Sequence, residues 1–217
     1  MSDYAAHPNL TVLPASGQVR GLMTIIRNVE TRRNDFIFYS DRLTRLLVEK
    51  SLELLPVFPK SVVTPLSLPY DGVGFEGKIC AVSIMRAGES MEKPVREVCK
   101  KIRVGKILIQ RNEETAEPVV YYSKLPSDIG RRWVFLLDPM LATGGSAREA
   151  IRILLEAGVR EDHLIFINLL ACPEGLHTIF NTFPQVRVVT GAVDEGLNDR
   201  AYIVPGLGDF GDRYFGT

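Results

Sequence analysis

The sequence predicts an α/β fold in which a parallel sheet is flanked by helices, and three observations carry that expectation. The runs Trp133–Leu137 and Leu164–Ala171 are almost wholly apolar at successive positions, the pattern of strands buried on both faces. Segments with helical spacing separate such runs, so strand and helix alternate along the chain, and right-handed crossovers place helices on both sides of one sheet. The chain's 217 residues are enough for one full α/β core. A single domain is therefore expected over residues 21–217. Residues 1–20, which include Pro, Gly and Ser, read as a flexible N-terminal arm able to lie on a partner subunit.

Taken in order, the first long element is a helix capped by Asn34 or Asp35 and running to Leu55. Phe36, Tyr39, Leu43, Leu46, Leu47 and Leu54 fall mostly on one face, and Pro56 ends it. Ser61–Leu68 reads as an irregular edge strand, because Pro65 has no N–H for a ladder, and Asp71–Gly77 reads as a turn. Lys78–Ile84 is the next buried strand, followed by Met85 to Glu89 and a helix that tolerates Pro94 in an early turn. Lys106–Gln110 is a third strand, with Val119–Ser123 returning as part of a hairpin that stands off the main sheet. After Trp133–Leu137 the composition changes at Asp138. A helix with Ala150, Ile151, Leu154 and Leu155 on its apolar face then begins at Ala147 and is closed by Gly158. Leu164–Ala171, a helix opened by Pro173 and the strand Val186–Val193 complete the alternation.

Composition narrows the function. Lys plus Arg and Asp plus Glu each number 26, which leaves no global field to draw in nucleic acid or an anionic membrane. An anionic ligand has to be held locally. Cys80, Cys99 and Cys172 lie far apart with no CxxC and no metal-ligand spacing, and read as reduced thiols of a cytoplasmic protein. The N-terminal stretch lacks a basic start followed by an apolar core, and no run approaches a membrane span.

Ligands of an open parallel sheet bind beyond the carboxyl ends of its strands, so the residues directly after each strand form the candidate site. Thr143, Gly144, Gly145 and Ser146, between a strand and a helix, can turn N–H groups around an anion in front of the positive helix end. Asp138 stands at the strand tip beside them, where a carboxylate calls for sugar hydroxyls or Mg²⁺ between itself and a phosphate. Arg86 and Arg111 follow two other strands, and arginine forks match phosphate oxygens bidentately; Gly88 is read as admitting backbone close to the anion. Asp194 and Glu195 follow the last strand. The expected ligand is a sugar carrying more than one phosphate.

Two glycine motifs are decoys. Gly72 to Lys78 has Walker spacing but continues with Ile79 and precedes a strand, where a P-loop must follow one. Gly206 to Gly211 fits G-x-G-x-x-G, yet the chain ends at Thr217, with no room for the helix and ribose-binding acid of a dinucleotide fold. With Tyr202, Ile203, Val204 and Pro205 leading into it, this segment instead reads as a docked loop offering backbone N–H and C=O groups to a flat ligand.

These segments together resemble the uracil phosphoribosyltransferase family from about Leu22 to Thr217. The matches are Ser83 to Glu89 for a diphosphate loop, Ile109 to Thr115 for a flexible segment, Asp138 to Ser146 for a phosphoribosyl loop and Tyr202 to Arg213 for a uracil loop. The resemblance implies the type I phosphoribosyltransferase fold with a small hood and a β-hairpin arm. It also implies a homodimer or homotetramer and the conversion of uracil and phosphoribosyl diphosphate (PRPP) to UMP and diphosphate, with Mg²⁺ accompanying PRPP. By the same resemblance Arg86, Asp138 and Asp209 are catalytic. PRPP is bound by Arg86, Arg111, Asp138, Pro139, Met140, Leu141, Ala142, Thr143, Gly144, Gly145, Ser146 and Asp209, and uracil by Tyr202, Ile203, Gly208, Asp209 and Phe210. Some relatives are activated by GTP, for which the residues give no site of their own. The chain departs from the family's commoner pattern with Asn112 in place of Asp. Like the uracil branch it has Asp138 followed by Pro139 where the wider superfamily has two acids. A purine-specific transferase and an idle relative that senses uracil nucleotides are the alternative readings.

Overall fold

The computed structural model describes residues 7–111 and 118–217, without the side chains of Arg111 and Pro118. It opens with strand β1 (Leu10–Val12) and helices α1 (Gly17–Arg27) and α2 (Arg33–Leu52). Leu10 pairs with Val188 in the main sheet, so from Leu10 onward the expected loose arm is sheet and helix instead. Ser16 caps α1 by accepting the Val19 N–H at 3.2 Å, and Val19, Leu22, Met23 and Ile26 form its buried face. Arg32, not Asn34 or Asp35, occupies the cap position of α2, and Asp35 sits in its first turn. The helix stops at Leu52, three residues before Leu55, because Leu54 and Leu55 close tighter turns onto Ser51 and Leu52.

Next, β2 (Val57–Val63) and β3 (Pro69–Phe75) form a separate antiparallel hairpin. This corrects the edge strand expected over Ser61–Leu68 and the turn expected over Asp71–Gly77. Pro65 lies in the tip of the hairpin, where Thr64 donates to Leu68 O at 2.9 Å, and Gly72 and Gly74 stand in the ladder opposite Lys60 and Phe58. β4 (Ile79–Met85) leads through a single 3₁₀ turn, Ala87–Met91, into α3 (Glu92–Val98), with Pro94 in its first turn. β5 (Arg103–Arg111) and β6 (Pro118–Lys124) pair antiparallel, and β6 forms one edge of the main sheet. The hairpin that stands off the sheet is therefore β2–β3, not the segment around Val119–Ser123.

The chain then runs through β7 (Trp133–Leu137), β8 (Met140–Leu141), α4 (Gly145–Glu156), β9 (Leu164–Ala171), α5 (Pro173–Thr182) and β10 (Arg187–Val193). It finishes in a hood of β11 (Gly196–Leu197), β12 (Ile203–Val204) and α6 (Phe210–Phe215). α4 begins at Gly145, two residues earlier than expected, because Gly144 already occupies its cap. The sheet order is β1-β10-β9-β7-β4-β5-β6, with β8 beside β9 and every pair parallel except β5 with β6. From β4 the chain moves outward to β5 and β6, then crosses back to β7, β9 and β10. That reversal opens a crevice beyond the carboxyl ends of β4 and β7.

Alternate side chains of β7 feed opposite layers. Val134 and Leu136 join Ile151, Leu154, Leu176 and Ile179 of α4 and α5, while Phe135 and Leu137 join Phe36, Leu43 and Leu47 of α2. Each fully buried side chain of this size contributes about 1.5–3 kcal/mol. Among the described residues no helix is long and apolar enough to cross a membrane.

Candidate active site

β4 delivers Arg86 to the crevice. The Met85–Arg86 peptide is cis, and the turn behind it is pinned from below: Ser83 Oγ donates to Glu92 at 2.6 Å, and Lys106 Nζ donates to Glu89 at 2.6 Å. Gly88 faces the tip of β7, where a Cβ would lie 2.2 Å from Leu137 O. Its lack of a side chain thus lets two strand tips pack together, which differs from the anion approach read from the sequence. The Arg86 side chain is half-exposed. It donates to Asp212 Oδ1 at 3.0 Å, lies over the Phe215 ring and borders Gly211, where an added Cβ would meet both Arg86 and Asp209.

The phosphate loop lies one strand over. Asp138, Met140, Leu141, Ala142, Thr143, Gly144, Gly145 and Ser146 line a cradle of about 110 Å³. Gly144 caps α4 at φ +81°, a left-handed conformation natural to glycine, and the Thr143 hydroxyl accepts the Gly145 N–H at 3.4 Å. Asp138 is pushed up to about 7 by burial, which outweighs the hydrogen bond it accepts from Met140 N–H. Pro139 is not part of the cradle: its carbonyl accepts the Leu169 and Leu170 N–H groups, which fastens the loop to β9. The Leu141 side chain is buried in the core, so its part in the cradle is carried by backbone.

The third group of residues is the hood. Ile203 and Phe210 are buried, Phe210 packing on Phe36 and Tyr214 at ring distances of 5.2 and 5.7 Å. Their side chains are committed to the core. Tyr202 is exposed. Gly208 and Asp209 line a second cavity of about 390 Å³ together with Arg27, Pro205, Gly206, Leu207, Asp212 and Arg213. Asp209 caps α6, accepting the Asp212 N–H at 2.9 Å. The N–H groups of Gly208 and Phe210 have no hydrogen-bond partner among the described residues.

The candidates Arg86, Asp138 through Ser146 and the hood loop thus meet at one edge of the sheet. Arg111 ends β5, and its side chain lies outside the described residues, as does the segment from Asn112 to Thr115 read as flexible. Asp194 stands at the end of its strand, as the sequence indicates, and pairs with Arg27 of α1, which no motif in the sequence marks. The signal for α1 was present in its cap and its apolar spacing, but nothing local ties Arg27 to a partner 167 positions away. No cluster of three His, Cys, Asp or Glu side chains suited to a metal occurs among the described residues.

The family model described as uracil phosphoribosyltransferase matches residues 13–217. A uracil phosphoribosyltransferase of Dictyostelium discoideum is 57% identical over 209 residues, covering 96% of this chain and 97% of its own. Among solved structures, the AQ2163 protein from Aquifex aeolicus superposes with a TM-score of 0.82 at 34% identity, covering 95% of this chain and 97% of its own. An adenine phosphoribosyl transferase from Trypanosoma brucei, 13% identical and with a TM-score of 0.54 over 96% of this chain and 92% of its own, shares the fold alone. The mostly parallel sheet, its flanking helices and the match across nearly the whole length lead to one conclusion: the chain belongs to the uracil phosphoribosyltransferase family.

Proposed function

We propose that the protein transfers the phosphoribosyl group of PRPP to N1 of uracil, giving UMP and diphosphate, as a pentosyltransferase of pyrimidine salvage. The observation that carries this is the meeting of Arg86, the Asp138–Ser146 cradle and the hood loop at one sheet edge in a chain of this family. Diphosphate leaving the anomeric carbon leaves positive charge on the ribose, so the protein must hold the leaving group and keep N1 of uracil in line.

Arg86, exposed on a pinned turn, clamps the diphosphate with Arg111. The N–H groups of Thr143 to Ser146 hold the ribose phosphate at the start of α4. Asp138 in its ionised form accepts from the ribose hydroxyls, which offset the cost of burying its charge. The buried side chains of Ile203 and Phe210 leave their backbone, with that of Gly208, to read the base beside Tyr202, and Asp209 faces the PRPP side. Asp138 stands apart from the Asp209 and Asp212 pair of the hood, and among the described residues no three His, Cys, Asp or Glu side chains are grouped to hold a metal ion. This supports a reading in which Mg²⁺ enters with PRPP, as part of the substrate.

Three free thiols, Cys80, Cys99 and Cys172, support the cytoplasm as the compartment, and the exposed β2–β3 hairpin supports a homo-oligomer. Diphosphate release measured with PRPP plus uracil, hypoxanthine or no base tests the reaction. Release with uracil alone is expected. Turnover of hypoxanthine would replace uracil with a purine, and no release from folded protein would overturn the enzymatic reading.

A further inference from the structure

We infer that Arg27 and Asp194 are positioning residues for base specificity, acting as a bracket that fixes the peptide planes of the hood loop. The inference rests on the base-reading role proposed above for that loop.

The bracket is built around Gly206. Asp194 Oδ2 accepts the Gly206 N–H at 2.9 Å, and Arg27 donates to the Gly206 carbonyl at 2.9 Å. The two side chains close the ring through paired bonds of 2.6 and 2.7 Å. Both polar groups of one residue are thereby held by a single bidentate ion pair, whose Asp194 side chain is only 6% exposed. Paired, charge-assisted bonds of this kind fix orientation as well as distance. Gly206 cannot be exchanged to loosen the arrangement, since its φ is +61° and a Cβ would lie 2.0 Å from Ile203 O.

The next peptide is held by a second arginine. Arg213 donates to Leu207 O at 2.7 Å and to Ile26 O and Asn28 O of the α1 end at 2.5 and 2.8 Å. Arg27 belongs to the same helix end. Consecutive carbonyls of the loop are therefore tied to α1, while Asp194 ties the loop to the tip of β10. Beyond these anchors stand Gly208 and Phe210, whose N–H groups have no partner among the described residues. A base read by backbone is discriminated by where the peptide dipoles point, and those directions are inherited from the bracket. Arg27 and Asp194 need not touch the base to act in this way.

The test compares Arg27→Gln, Arg27→Lys, Asp194→Asn and the Arg27→Gln/Asp194→Asn double variant with the parent protein. Each is assayed for KM of uracil, KM of PRPP and the uracil-to-cytosine rate ratio, and each is followed by hydrogen exchange of the peptide covering residues 203–210. For Arg27→Gln we expect KM for uracil to rise tenfold or more, KM for PRPP to stay within about twofold and the uracil-to-cytosine ratio to fall at least tenfold. Arg27→Lys should recover part of the loss, and the double variant should be no worse than the poorer single one, because the pair acts as a unit. Exchange in residues 203–210 should quicken in every variant. A KM that rises equally for both substrates, an unchanged ratio in folded protein or unaltered exchange would overturn the bracket. The parent protein run alongside separates the two readings. No uracil-dependent turnover in the parent removes the proposed reaction and overturns the specificity role of the pair with it, whereas turnover in the parent with an unchanged base ratio in the variants overturns the bracket alone.

Discussion

At the scale of single residues, the site sets a half-exposed arginine, Arg86, beside a desolvated carboxyl, Asp138. Arg86→Ala should weaken PRPP far more than uracil, since the diphosphate end alone loses a charge-assisted clamp. A hydrogen bond to a charged group is worth about 1.5–3 kcal/mol, so the apparent PRPP affinity should drop tenfold or more. An unchanged KM for PRPP would refute the assignment. Asp138 makes a different prediction. Its carboxyl, pushed up to about 7 from an ordinary 3.8, holds a proton in the folded chain that the unfolded chain has already released. Stability contributed by this group therefore falls as pH rises from about 4 to about 7 and is level above that. PRPP that binds the carboxylate expels the same proton, so PRPP affinity should climb with pH up to about 7 and then flatten. Titration calorimetry at pH 6.5 in two buffers of different ionisation heat should show proton release, and Asp138→Asn should abolish it. Equal heats in both buffers with the parent protein would contradict this. Asp138 was legible because it ends an apolar run beside Thr143 to Ser146. Arg27 was not, because an arginine in the last turn of a helix looks the same whether it faces water or Asp194.

At the scale of elements, the buried strands were the most legible parts of the chain, and the exposed ones the least. β7 and β9 show apolar residues at successive positions because helices cover both their faces. β6 and the β2–β3 hairpin lack that signal: one is an edge, and the other has no second layer. The turn after β4 is legible in the sequence, whereas the reason for its glycine, a contact with a strand tip far along the chain, is not. Gly88→Ala would bring a Cβ against Leu137 O, forcing apart the turn that carries Arg86 and the tip that carries Asp138. Crowding of this kind costs about 1–3 kcal/mol, or roughly 2–12 °C of melting temperature for a chain of this size. A lower melting temperature together with weaker PRPP binding is expected, and parental values for both would show that the two tips can separate freely. The hood loop predicts discrimination instead. Cytosine presents an amino group and an unprotonated ring nitrogen where uracil presents an oxygen and an N–H, so fixed backbone groups face like partners at two points. Each unpaired buried group costs about 1–3 kcal/mol, and the initial-rate preference for uracil should be about a hundredfold or more. Rates within tenfold of each other would exclude backbone reading of the base.

At the scale of the whole molecule, the part that fits a single chain least well is the β2–β3 hairpin. Every residue of β2 is exposed, and Phe58, Val63, Leu66, Leu68, Tyr70, Val73 and Phe75 show 45% to 81% of their surface. A two-stranded hairpin without a second layer is marginal on its own, and monomers rarely present so much contiguous apolar surface. The sequence did not disclose this, because apolar residues on both sides of a ladder lack the alternation by which a half-buried strand is recognised. The proposed homo-oligomer would supply the missing layer from a second copy of the chain. None of the residues assigned to PRPP and uracil belongs to β2 or β3, so assembly and chemistry should separate. Val63→Glu combined with Phe75→Lys removes two exposed apolar groups and should cost the isolated chain little, since surface substitutions fall within about 0.5 kcal/mol. In the assembly the same charges would be buried without partners, and the interface should fail. Sedimentation should therefore show the parent protein as a dimer or larger and the variant as a single chain that still binds PRPP. A parent protein that sediments as one chain, or a variant that stays assembled, would mean that the hairpin is not the surface through which subunits meet.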